Sequence, residues 1–311
     1  MRCEPLTEPV RITDADTDVE SQPVRARLLD HAGVLSDHHL HEMAQRLVDV
    51  PGIVGVMLGG SRARNTHTDS SDVDLGLYYR PPLDVEALGA LARELAGPDA
   101  AVTAPGGWGP WVDGGGWLHV DDTPVDWIYR ELDRVDTAWR DAREGRFHFH
   151  FQVGHPLGVP DFSYAGEVAL GRILADPSGV LTALRAEAQQ YPPELRRRVV
   201  TTALGEAEFA LTIAGKGVGR RDTAYVAGCL FRVVGLCAHA LHAHAGAWLI
   251  NEKGAVDAAA ALPGAPLDFA EAAHGVLAGL GRSEIDLRAA RHTAGRLIAA
   301  TSASCGQRFR R

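Results

Sequence analysis

The sequence predicts an α+β fold: a small mixed sheet with flanking helices, followed by a C-terminal all-α helical bundle. Three observations carry that prediction. An apolar run, Ile53–Leu58, and an alternating run over residues 72–79 read as two strands joined by a polar loop. Residues 117–120 and 125–130 flank the turn signal Asp121-Asp122-Thr123-Pro124 and read as a hairpin. From about Tyr164 onward Ala, Leu, Val and Arg dominate, and helix start signals recur.

Residues 1–33 form an N-terminal extension whose first part mixes Thr, Asp, Glu and Pro with few large apolar groups. Ser36 caps a helix through Leu40, Met43, Ala44, Leu47 and Val48, which ends at Pro51-Gly52. The first strand pair follows, and Pro81-Pro82 closes it. Val85, Leu88, Leu91, Ala92 and Leu95 mark a second amphipathic helix, ended by Gly97-Pro98. Trp108 and Trp111 then lie between glycine turns, as a lid, a stacking wall or packing around a loop.

Past the hairpin, Phe147-His148-Phe149-His150-Phe151-Gln152 alternates, which puts the phenylalanines on one face and the histidines on the other. Gly154-His155-Pro156 turns the chain out of this region. Helices are expected from Ser178 to Gln190 and from Pro193 to about Ile213, the second broken by Gly215-Lys216-Gly217-Val218-Gly219. A third, capped by Asp222, runs towards Trp248, and Ser283 with Asp286 makes a capping box for a last helix near 283–303. His239, His242 and His244 resemble a metal tract, but only the first two share a helix face, so ordinary helix-face histidines are the simpler reading.

The bulk numbers bound the function. A chain of 311 residues, 46% hydrophobic and 23% charged, is long enough for about two domains with real cores. No apolar run approaches the roughly 18–20 residues of a membrane span, and the N-terminus lacks the apolar core of a secretory signal. Four cysteines without metal spacing make no disulfide framework. A cytoplasmic protein without a membrane partner is the expectation. A formal charge of −9 argues against an extended nucleic-acid footprint.

The chemistry concentrates in the first strand–loop–strand unit. Residues two apart on a strand share a face, so Asp72 and Asp74 project together while Val73, Leu75 and Leu77 point to the core. At about 6–7 Å two carboxylates repel by roughly 2–3 kcal/mol at an effective dielectric near 20. A cation between them removes that cost, and oxygen-only ligands beside substrate phosphates favour Mg²⁺. Upstream, Gly59-Gly60-Ser61 offers backbone N–H groups and a hydroxyl to an anion. Asp126 stands alone on an otherwise apolar strand start, either as a third carboxylate or as an acceptor for a turn hydrogen bond. Arg62 and Arg64 follow Ser61, where a guanidinium would neutralise phosphate charge or stay solvated. Lys253, in the polar turn Asn251-Glu252-Lys253-Gly254, would act as a point charge or lie in a solvated loop.

Gly60-Ser61 followed by Asp72-Val73-Asp74 on the next strand resembles the signature of the DNA polymerase beta-type nucleotidyltransferase superfamily. Further stretches, among them Val125-Asp126-Trp127-Ile128-Tyr129-Arg130, Gly154-His155-Pro156 and Tyr164-Ala165-Gly166-Glu167, resemble bacterial nucleotidyltransferase-domain proteins with a C-terminal helical domain. The architecture is similar to that of aminoglycoside and lincosamide O-nucleotidyltransferases. The resemblance implies a catalytic domain over 34–160 and a helical acceptor-binding domain over 161–311. It implies two Mg²⁺ ions on Asp72, Asp74 and Asp126, and a nucleoside triphosphate bound by Gly60, Ser61, Arg62, Arg64 and Lys253. Transfer of a nucleoside monophosphate, most simply AMP, to a hydroxyl of a small acceptor would release pyrophosphate. Glu167, Glu206 and Glu208 are its candidate general bases. Transfer of AMP onto a protein, as in toxin–antitoxin enzymes, and a non-catalytic nucleotide-binding module stay open, as does a homodimer.

Overall fold

The computed structural model describes residues 35–64, 67–68 and 71–306; the expected N-terminal extension lies outside the described residues. Helix α1, Asp37–Val48, starts where Ser36 accepts a hydrogen bond from the His39 N–H, and it buries Leu40, Met43, Ala44 and Leu47. Strand β1, Ile53–Leu58, runs antiparallel to β2, Val73–Tyr79, with the single turn α2, Gly60–Ala63, between them. Helix α3, Val85–Ala96, is capped by the Asp84 carboxylate and leaves the chain at Gly97. The hairpin of β3, Gly115–Val120, and β4, Thr123–Glu131, then adds β4 parallel to β2.

Alternation decides what each face does. Val73, Leu75 and Leu77 of β2, Val125, Trp127 and Tyr129 of β4, and Leu118 and Val120 of β3 enter one core with α1 and α3. The opposite face carries Asp74, Gly76 and Tyr78 on β2 and Asp126, Ile128 and Arg130 on β4, by the period of two. At the Tyr78 end that face is covered by the second core, which includes α4 (Leu132–Arg143), α5 (Ser163–Leu170) and the helices beyond. The Asp74 end stays partly open.

The sheet order is β3-β4-β2-β1-β7, and its last strand, Arg172–Ala175, comes from beyond the boundary expected at 160. It pairs with β1 because Ile173 and Arg172 lie opposite Met57 and Leu58. Helices α6 (Val180–Ala188), α7 (Pro193–Val218), α8 (Thr223–Ala245), α9 (Ala255–Ala260), α10 (Phe269–Ala278) and α11 (Glu284–Ser304) follow. The Asp222 cap and the Ser283–Asp286 capping box are both present. By length and composition α8 is apolar enough to cross a membrane; in the bundle it is the largely buried helix against which α7 and α11 pack.

Three local expectations change. Helix α7 runs through Gly215 and Gly217 to Val218 instead of breaking there. A Cβ on Gly217 would meet the Val226 side chain at 2.8 Å, so this glycine serves close helix packing rather than a turn. Gly154-His155-Pro156 does not leave the region: residues 149–152 (β5, Phe149–Gln152) pair back onto β6, His155–Pro160. A register shift between His150 and Gln152 breaks the alternation, burying Gln152 and leaving Phe151 84% exposed. His148 and His150 both approach the Asp161 carboxylate, and His242 donates its Nδ1–H to the Ala238 carbonyl within its own helix.

Candidate active site

The end of β1 brings the chain directly over β2. Gly59 donates its N–H to the Asp74 carbonyl at 2.8 Å, and Gly60 follows with φ 61°. A Cβ on Gly60 would lie 1.7 Å from Asp74 Oδ2, so only glycine lets the backbone reach this carboxylate. Gly60→Ala is therefore expected to move Asp74 and cut turnover by roughly a hundredfold or more, since displacements of about 1 Å have that effect. Turnover within twofold of wild type in steady-state assays would refute the close approach.

The parallel register of β2 and β4 places Asp126 directly opposite Asp74, and Asp72 stands just before β2 begins. One carboxylate oxygen from each of Asp72, Asp74 and Asp126 lies within 4.8 Å of the others. Burial first, then the charges of Asp72 and Asp126, push the Asp74 carboxyl up to about 6. Burial and the Asp72 charge likewise raise Asp126. A repelling trio of hard oxygen donors, partly shielded from water, suits a divalent cation that compensates their charge. On the chemistry of their donors these three residues fit a divalent-ion site.

A cation lies close to the trio. Lys253, from the loop after α8, opposes the rise at both Asp74 and Asp126, so its ammonium faces them. Gly60, Ser61, Arg64, Asp72, Asp74 and Lys253 line one cleft of about 320 Å³. Its far wall is Trp111, Tyr164, Arg130 and Glu167, so residues from both the sheet and the helical part enclose it. Asp126 stands beside that enclosed volume, towards β3.

Arg62 does not join the cleft. Its side chain is buried, with Nε donating to the Asp72 carbonyl and Nη2 to the Ser71 carbonyl. It holds the strand entry that carries Asp72, a structural role where phosphate binding was expected. Glu206 pairs with Arg232 at 2.6 Å, and neither it nor Glu208 lines the cleft. Both sit on α7, outside the residues that line the cleft. Glu167 does line the cleft, but both its oxygens accept from Arg130, Nε at 2.5 Å and Nη2 at 2.7 Å. Trp111 is a cleft wall, stacked on His150 with centroids 3.6 Å apart. The pairing of Arg130 with Glu167 was not foreseen: Glu167 was expected as a candidate base, and Arg130 and Tyr164 stood only within stretches that carried the resemblance. A lone arginine four residues after Asp126, hence on its strand face, was the available signal.

Residues 40–100 match the family described as "Nucleotidyltransferase domain". Among solved structures the chain is similar to a nucleotidyltransferase-like protein from Exiguobacterium sibiricum 255-15, with a TM-score of 0.44 and 12% identity over 87% of this chain and 77% of that one. No curated protein matches. The matched residues run from α1 through α3 and so include Gly60, Ser61, Asp72 and Asp74. Residues 40–100 thus carry a nucleotidyltransferase domain, and by enzyme class the protein is a transferase.

Proposed function

We propose that this chain transfers a nucleoside monophosphate, AMP in the first instance, from a nucleoside triphosphate to a hydroxyl of a small acceptor. The observation that supports this most is the convergence of Asp72, Asp74 and Asp126 within 4.8 Å, beside a Gly60 that tolerates no side chain. On this reading residues 34–160 carry the catalytic side chains and residues 161–311 wall the cleft.

Each residue then has a physical task. The Gly60 and Ser61 backbone, Arg64 and Lys253 face the terminal phosphates and offset their charge. Asp72, Asp74 and Asp126 would hold the divalent ions, and Arg62 keeps the Asp72 backbone in place. Bound there, the ions would neutralise charge developing on the α-phosphoryl group and acidify the attacking hydroxyl. The hydroxyl oxygen bonds to the α-phosphorus, the bond to the β-phosphate's bridging oxygen breaks, pyrophosphate leaves and the hydroxyl proton goes to solvent. Arg130 keeps Glu167 engaged on both oxygens, so Glu167 shapes the wall rather than taking that proton.

The test is to incubate the purified chain with Mg²⁺, each of α-labelled ATP, GTP, CTP and UTP, and a panel of hydroxyl-bearing antibiotics. Label on a small molecule with release of pyrophosphate supports the reading. Label on protein alone would replace it with protein modification, and no Mg²⁺-dependent triphosphate binding would end it.

A further inference from the structure

Helix α8 ends at Ala245, and the chain crosses residues 246–254 before α9 begins at Ala255. That loop delivers Lys253 to the cleft, yet the lysine side chain is exposed. An ammonium group on a long exposed stem is strongly hydrated and mobile, so the backbone beneath it decides how well it meets an anion. Three contacts fasten that backbone. Trp248 Nε1 donates to the Ala188 carbonyl at 3.0 Å. A Cβ on Gly166 of α5 would lie 2.8 Å from the Ile250 side chain and 3.3 Å from that of Trp248, so this glycine seats the loop directly on α5. Asn251 Oδ1 accepts the Lys253 N–H at 3.1 Å.

A further connection reaches the hairpin of β5 and β6. Glu252 Oε2 lies 3.2 Å from His155 Nδ1, and Oε1 accepts the Leu157 N–H at 3.3 Å, so the start of β6 engages both oxygens. Burial raises the Glu252 carboxyl, but the His155 bond and backbone N–H groups together outweigh it and hold it below the usual range. An ionised carboxylate can only accept, which puts a proton on His155 Nδ1. Asn251, Lys253 and His155 line the cleft, whereas Glu252 does not. Engagement with β6 thus turns one negative charge away from the cleft. It also pins the backbone next to Lys253, whose ammonium faces Asp74 and Asp126.

Resting on the transfer reading above, we propose that Glu252, latched to His155 and Leu157 of β6, is a positioning residue that presets Lys253 against the terminal phosphates. The cation comes from the helical part of the chain and is aimed by the β5–β6 hairpin. Lys253 meets those phosphates both before and during transfer, so the latch governs nucleotide affinity more than turnover.

Calorimetry of the full chain with Mg²⁺ and α,β-methylene ATP tests this, with AMP as the ligand that lacks the terminal phosphates. Glu252→Ala is expected to weaken binding of the analogue about tenfold, the order of ordering one backbone residue on binding. AMP affinity stays within twofold. Lys253→Ala should lose at least as much, and adding Glu252→Ala to it should cost less than about twofold more, because one residue acts through the other. His155→Asn keeps a donor where Nδ1 stands and should stay within about threefold of wild type. His155→Phe keeps a ring without the donor and should approach Glu252→Ala. In steady state Glu252→Ala should raise KM for nucleotide more than it lowers kcat.

Additive losses in the double variant overturn the proposal. So does an equal loss of AMP affinity in Glu252→Ala, which would mean that the whole cleft had collapsed. A fall in kcat in His155→Asn with affinity kept also overturns it, by making His155 a proton acceptor. A wild type that does not bind the analogue ends the transfer reading and the latch together. Analogue binding as tight in Glu252→Ala as in wild type leaves the transfer reading standing and removes only the latch.

Discussion

Asp74→Asn is expected to abolish nucleotide consumption, by more than about a thousandfold, and at the same time to raise the melting temperature of the metal-free protein. The first effect follows from removing a charged oxygen donor that sits within 4.8 Å of its two companions. The second follows from the sign of the linkage. Burial and neighbouring carboxylates lift the folded Asp74 carboxyl from 3.8 to about 6. Between those values the folded state binds more protons than the unfolded one, so stability falls as pH rises through that window. Above about pH 6 the wild type carries the full penalty. A rise of about two units corresponds to at most about 3 kcal/mol, and partial exposure of Asp74 lowers that figure. Asparagine keeps the shape and removes the repulsion. Calorimetric melts in chelator at pH 5 and pH 8 check it: the gain should be larger at pH 8, and Mg²⁺ should stabilise wild type far more than the variant. A variant that melts lower than wild type at pH 8, or that still consumes nucleotide, refutes the electrostatic account.

Glu167→Gln is expected to destabilise the fold more than any surface substitution, by about 3 kcal/mol or more, because it strands a buried charge. Arg130 is only 7% exposed, and its guanidinium donates to both Glu167 oxygens and to the Tyr129 carbonyl. Glu167 is 28% exposed, so Arg130→Met leaves a carboxylate that water still reaches and should cost less. The double variant should recover part of the loss of Glu167→Gln, a coupling read by a double-mutant cycle in urea. Because the pair joins β4 to α5, its loss should also loosen the cleft wall. At a temperature where Glu167→Gln is still folded, turnover should fall by less than about tenfold, as for a supporting group rather than a proton acceptor. A larger fall with unchanged stability would restore Glu167 as the base.

Much of this was legible along the chain. The polar loop between an apolar and an alternating run announced β1 and β2, and two aspartates at spacing two announced a shared face, since both depend on nearest-neighbour geometry. Asp126 stood out as a lone carboxylate on an apolar strand start, but the chain alone left it between a third carboxylate and a turn acceptor, and the resemblance supplied the first reading. The caps at Ser36, Asp222 and Ser283 were readable from nearest-neighbour geometry too. Phe151 was not: its exposure arises from a bulge defined only by pairing with β6. Nor was the helical course of Gly215 and Gly217, which depends on a neighbouring helix approaching too closely for a side chain.

Local periodicity and residue chemistry therefore determined the strands, the helices, the carboxylates and the glycine beside them, because each is set by covalent spacing within a few residues. Tertiary structure alone decided that β4 lies parallel to β2 with Asp126 opposite Asp74, that Arg62 supports a loop, that Glu206 and Glu208 lie away from the cleft, and that Trp117 stands opposite Asp126 of the acidic trio. Those outcomes rest on which strand edges meet and which charges find partners, and distant segments settle both only when they pack.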